Sequence, residues 1–153
     1  MAHRYINLAG LNLIKGFEGL AKQLPNGEIE AYLDPVGVPT IGYGHTRGVH
    51  MGMIVSLAQC EDWLKEDIFE FENWVSTLVI VPLTDNEFAA LVSFTFNLGP
   101  NNLRNSHLLR LLNAGDPKAT VAAEFPKWSM AGGHVLAGLL RRRQAEAELF
   151  MMP

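Results

Sequence analysis

The stretch Glu30–Thr46, EAYLDPVGVPTIGYGHT, decides how the chain is read. It places three glycines, two prolines, two threonines, Asp34 and His45 within seventeen residues. That is too rich in turn formers for a helix and too polar for a buried strand. Two extended segments, EIEAYLD and VPTIGYGH, are expected here, joined by a turn at Pro35-Val36-Gly37. Pro39 demotes the second to an edge or irregular strand, because it cannot donate to a ladder. Upstream, Asn26-Gly27 within LPNGEI is a tight-turn signal. This is the one β-like region expected in the chain.

On its N-terminal side, Leu8, Leu11, Ile14 and Phe17 recur near helical period, predicting a first helix that stops at Glu18-Gly19. Gly10 and Gly16 weaken it, each by up to ~1 kcal/mol relative to Ala. On the other side, everything after Ser56 reads as helical. Ser56 caps a long helix with apolar residues at Leu57, Cys60, Leu64, Ile68, Phe71 and Val75. Thr84 and Glu87 form a capping box for a second long helix that closes at Gly99-Pro100. NSHLLRLLNAG is a short helix capped by Asn105 or Ser106 and stopped by Gly115. Pro117 opens another, and HVLAGLLRRRQAEAELF reads as the last helix. The expected fold class is α+β and mostly helical. A small β-hairpin lobe over about 15–60 is joined by a long helix, about 57–80, to a helical lobe over about 81–153. The first helix packs on that helical lobe, and residues 1–153 form a single domain.

Composition narrows function. With 153 residues, 48% of them hydrophobic and 18% charged, the chain can bury a core. A formal net charge of −4 argues against general affinity for nucleic acid or anionic membranes, which need clustered Lys and Arg. A single Cys and five His make a structural zinc site improbable, so no metal is expected. The apolar N-terminal stretch YINLAGLNLIKGF is too short for a membrane span and lacks the pattern of a signal peptide.

Two carboxylates facing each other across a cleft are the equipment of a glycoside hydrolase. Glu18, ending the first helix, and Asp34, on the hairpin, are candidates, and Thr40 could hold a water beside Asp34. Apolar neighbours such as Phe17 and Leu20 would favour the protonated carboxyl that a general acid needs. On spacing alone the plainer reading stands beside this one, in which Glu18 ends a helix and Asp34 starts a turn. His45 is read as a structural hydrogen-bonding residue rather than a base. Trp128 is read as an anchor between helices.

The chain resembles the phage-type lysozymes, the endolysin muramidases. The resemblance rests on FEGL, on AYLDPVGVPTIGYGHT, on LTDNEFAALVSFTFNLG, on NSHLLRLLNAGD, on AGG and on GLLRRRQAEAELF, in that order from about Leu11 to Phe150. It implies a lysozyme-like fold with peptidoglycan in a cleft. It implies hydrolysis of the β-1,4 bond between N-acetylmuramic acid and N-acetylglucosamine, with Glu18 as the acid and, in the inverting version, Asp34 and Thr40 positioning water; inversion needs the carboxyl groups ~6.5–9.5 Å apart and retention ~5 Å, a distance the sequence leaves open. Substrate contacts are expected from Tyr43, Gly44, Phe96, Asn97 and Ser106, although Ser106 has a simpler role as a helix cap. No cofactor is needed. A monomer accumulating in the host cytoplasm and released by a partner holin is implied, with no nucleic-acid partner and no membrane span. The gap from Glu18 to Asp34 is longer than the family commonly shows, owing to a segment around KQLPNGE that brings in Glu28 and Glu30 as rival acids. Alternatives are a lytic transglycosylase, a non-catalytic wall-binding phage component, and secondary membrane permeabilisation by the Arg141–Arg143 helix.

Overall fold

A computed structural model describes residues 2–153. The chain divides into two compact units, Lys15–Phe69 and a larger one made of Met1–Ile14 with Glu70–Pro153. The divisions fall inside two helices, α1 (Leu8–Glu18) and α2 (Leu57–Leu78). Both span the residues expected, although in α1 the apolar positions Leu8 and Phe17 are exposed and Ile14 is the one buried. In α2, Cys60, Leu64, Ile68 and Val75 are buried, and the Ser56 hydroxyl accepts the Gln59 N–H, as an N-cap does.

The smaller unit is built on short antiparallel pairs. Strand β1 (Ile29–Glu30) pairs with β4 (Ile54–Val55). Strand β2 (Tyr32–Leu33) pairs with β3 (Pro39–Thr40), with Tyr32 opposite Thr40 and Leu33 opposite Pro39. The β4 pairing was not legible in the sequence, because two residues carry no alternation. The core of this unit is Ile29, Ala31, Ile41 and Cys60, with Leu20, Tyr43, Met53 and Trp63 packed around it. Gly42 is required by that core. Its φ is +64°, and a Cβ there would stand 2.7 Å from the Cys60 sulfur. The segment following α1 is an ordered turn. The Leu24 N–H donates to Glu28 O, the Gly27 N–H to Leu24 O, and the Glu30 N–H to Lys22 O.

In the larger unit α3 (Asp85–Leu98) is buried at every residue from Phe88 to Thr95. Its capping box forms as expected, with Thr84 Oγ1 accepting the Glu87 N–H and Glu87 Oε1 accepting the Thr84 N–H. Short helices α4 (Pro100–Arg104), α5 (His107–Asn113) and α6 (Lys118–Ala122) follow, then a 3₁₀ turn at Phe125–Lys127. Phe94 meets Phe125 and Trp128 edge-on, each at 5.6 Å, so Trp128 anchors this core.

The structure corrects the expectation that all of the chain beyond Ser56 is helical. Strands β5 (Met130–Ala131) and β6 (His134–Val135) form a hairpin. Gly132 and Gly133 turn it with φ of +58° and +81°. Two successive residues at positive φ make the tight turn that matches strand twist, and only glycine adopts it without strain. The last helix, α7 (Ala137–Met151), therefore begins after His134 and Val135 rather than with them. It packs along α3.

Candidate active site

The smaller unit holds five of the expected site residues. Glu18 is the last residue of α1 and is half-buried. The helix stops there because Gly19 takes φ of +75° while its N–H still reaches Lys15 O. Gly44, at φ of +88°, lies against this carboxyl: a Cβ on it would be 3.5 Å from Glu18 Oε1. Phe17 is 38% exposed, whereas Leu20 joins the small core.

Asp34 is locked by its own turn. Its Oδ1 accepts the N–H groups of Val36 at 2.9 Å and Val38 at 2.8 Å. Its backbone N–H donates to Val38 O and its carbonyl accepts from Gly37. An aspartate that accepts from the backbone two and four residues onward has a fixed side-chain direction. Gly37 closes the turn at φ of +86°. Thr40 is buried, and its hydroxyl donates to Val38 O at 2.9 Å, so its oxygen lone pairs remain for an incoming donor.

Tyr32 is a further member that the sequence reading passed over. Burial pushes its phenol above the ordinary tyrosine value, and the charges of Asp34 and then Glu18 add to that. Its hydroxyl thus lies in the field of both carboxylates. The available signal was its position two residues before Asp34, since i and i+2 on a strand share a face.

His45 is structural. Its Nδ1 is 2.8 Å from Asp67 Oδ2, and its ring stacks on Trp63 at 4.5 Å. Backbone bonds in both directions with Ile41 hold the intervening Gly42-Tyr43-Gly44 turn. Tyr43 is half-buried in the small core, with Lys15 Nζ 5.7 Å from its ring centre. Of the rival acids, Glu28 is exposed and takes a hydrogen bond from Asn26 Nδ2, and Glu30 lies in β1.

Phe96, Asn97 and Ser106 belong to the larger unit. Phe96 packs edge-on against Phe71 at 5.3 Å. Asn97 Oδ1 accepts from Arg143 Nη2 at 2.7 Å. Ser106 is buried and caps α5, accepting the Leu109 N–H and donating to Leu103 O. Of the three arginines, Arg141 is exposed while Arg142 and Arg143 are buried around Glu146. Among the described residues no three His, Cys, Asp or Glu side chains cluster as metal ligands would. Among the described residues, too, no helix is long and apolar enough to cross a membrane.

The family model for phage lysozyme matches residues 15–146. The chain belongs to the phage lysozyme family. It is 42% identical over 151 residues to the endolysin of Bacillus phage PZA, covering 95% of this chain and 54% of that protein. The endolysin of Acyrthosiphon pisum secondary endosymbiont phage 1 is 40% identical over 150 residues, covering 95% and 97%. The chain thus spans about half the length of some relatives (54%) and nearly all of another (97%). Among solved structures, the muramidase domain of SpmX from Asticaccaulis excentricus superposes with a TM-score of 0.85 at 39% identity, covering 98% and 100%. The expected lysozyme-like α+β fold class is therefore correct.

Proposed function

We propose that this phage lysozyme family member is an endolysin muramidase. In this reading it hydrolyses the β-1,4 bond between N-acetylmuramic acid and N-acetylglucosamine in peptidoglycan. Glu18 gives a proton to the departing glycosidic oxygen. A water held by Thr40 gives a proton to Asp34 while its oxygen attacks the anomeric carbon. The observation that carries the reading is the Asp34 turn. Two backbone N–H groups occupy Oδ1, at 2.9 and 2.8 Å, which aims the carboxylate and leaves its second oxygen to take a proton. The Thr40 hydroxyl, spending its own proton on Val38 O, offers that water an acceptor. Family membership and relatives named endolysin support the substrate class. Tyr43 and Gly44, on the turn beside Glu18, complete the proposed sugar contacts of the smaller unit, and Phe96 and Asn97 are the sugar contacts proposed on the larger one. Ser106 keeps a single acceptor lone pair for a sugar, since its hydroxyl donates to Leu103 O and accepts the Leu109 N–H.

The setting follows from the same reading. The enzyme acts as a monomer, collects in the host cytoplasm and meets the wall after a holin opens the membrane. Digestion of purified peptidoglycan by wild type and Glu18→Gln, with products identified by mass, tests the chemistry. Reducing-end muropeptides from wild type alone are expected. Anhydro-muropeptides would replace hydrolysis with transglycosylation, and products from both proteins would move the acid to Glu28 or Glu30.

A further inference from the structure

We propose that Tyr32 is a positioning residue of this site, its O–H donating to the water that Asp34 and Thr40 hold and keeping that water in register. The inference rests on the muramidase reading and extends it to a residue with no assigned part. It begins with backbone geometry. Tyr32 and Asp34 are two apart on the same extended segment, so their side chains leave the same face. Thr40 stands directly opposite Tyr32 in the β2–β3 ladder, and directly opposed residues of an antiparallel pair also share a face. Leu33 and Pro39, the other opposed pair, take the reverse face. One face of a two-strand hairpin therefore presents a phenol, a carboxylate and a hydroxyl together.

The three groups are not equally committed. Asp34 Oδ1 is taken by two backbone N–H groups, and the Thr40 hydroxyl proton by Val38 O. Among the described residues none accepts a hydrogen bond from Tyr32, which is half-buried. Its O–H is the donor this face still has to give. Burial first, and then the charges of Asp34 and Glu18, push its phenol above the ordinary tyrosine value and favour the neutral O–H. A neutral donor acting through that water favours the ionised carboxylate, which is the form that takes the proton from water.

The experiment compares wild type with Tyr32→Phe on soluble, uncross-linked glycan fragments across pH. A lost neutral hydrogen bond predicts kcat lower by about tenfold with KM unchanged. It also predicts that the acidic limb of kcat/KM moves to higher pH, because the base loses a donor that favours its charged form. A purely packing role would lower thermal stability and leave the limb where it is, and that result overturns the proposal. A second measurement does not depend on the variant's folding. In a Tyr5→Phe, Tyr43→Phe background Tyr32 is the one remaining tyrosine, and its tyrosinate absorbance is titrated. Asp34→Asn should lower the midpoint, and an unmoved midpoint removes the phenol from the site. The parent reading is separated by product mass. Hydrolytic products with an unshifted limb sink only the role of Tyr32, whereas anhydro products remove the activated water and sink both.

Discussion

Gly10 is a case in which a single missing side chain carries a packing surface. By helix propensity it is a defect, and Ala should gain up to ~1 kcal/mol there. Yet a Cβ at Gly10 would stand 2.6 Å from the Ala89 Cβ and from the Ile6 side chain. Ile6 can turn aside, but Ala89 has nothing flexible to move. Overpacking of this kind costs ~1–3 kcal/mol, so Gly10→Ala should destabilise by about 1–2 kcal/mol, read as a lower urea midpoint. Glu124 is a second residue whose neighbours set its behaviour. The Lys127 ammonium hydrogen-bonded to it holds its carboxyl below the ordinary value; burial opposes this, and His107 at 2.9 Å reinforces it. A carboxyl with a depressed folded value adds stability above its unfolded pKa, near ~4.3, and loses it as pH falls through the folded value. Glu124→Gln should therefore cost about 1 kcal/mol at neutral pH, the partners' charged ends being exposed. Denaturation at a series of pH values should show the gap closing below pH ~4.

Among the elements, α3 depends on its cap because its first turn, at Asp85, is the most exposed part of the helix. Every residue from Phe88 to Thr95 is buried, so fraying is confined to the two ends, of which Thr84–Glu87 is the one held by side-chain caps. Thr84→Ala removes the acceptor for the Glu87 N–H and should cost ~1 kcal/mol, measured by chemical denaturation. The turn at Leu24–Glu28 behaves differently. Its ends are already joined, through the Gln23–Ile29 bridge and the Glu30 N–H to Lys22 O. Trimming it changes loop-closure entropy by only ~0.6 kcal/mol per halving of length. Deletion of Leu24–Glu28 should thus leave a folded protein that still needs Glu18, and its turnover on walls of different cross-linking should differ from wild type. The capping box and the Asn26-Gly27 turn are legible in sequence because each works through residues three or four apart. The β5–β6 hairpin was overlooked because each strand is two residues long, and Gly132-Gly133 was the only cue.

At the scale of the whole molecule, the larger unit is tied by a buried ionic cluster between α3 and α7. Glu146 and Arg143 are fully buried, with Glu146 Oε1 2.8 Å from Arg143 Nε and Glu146 Oε2 accepting a hydrogen bond from the Ser93 hydroxyl. Arg142 Nε approaches the same carboxylate at 3.4 Å. Burial pushes the Glu146 carboxyl up and the Arg143 guanidinium down, so each charge depends on the other for its place in the core. Removing one partner leaves an uncompensated charge and costs ~3–5 kcal/mol. Glu146→Ala should lower Tm by roughly 10 °C for a chain of this size. Arg143→Met with Glu146→Leu should fall much less, because no buried charge is left unpaired.

Sequence periodicity by itself determined α1, α2 and α3, the capping box, the turn around Asp34 and the fold class. Each of these is decided by residues a few positions apart, whose spacing says where a helix runs or which N–H is capped, although in α1 it did not say that Leu8 and Phe17 stay exposed. Tertiary structure alone decided which arginines go inside. Arg141, Arg142 and Arg143 are chemically alike, and only the placement of Ser93, Asn97 and Glu146 around α7 buries two and leaves the first in water. It alone paired β1 with β4 and required Gly10 and Gly42 to lack side chains, since those demands come from atoms distant in the chain. It also added Tyr32 to the face that carries Asp34 and Thr40, because a register of two-residue strands is set by what the hairpin packs against rather than by its own pattern.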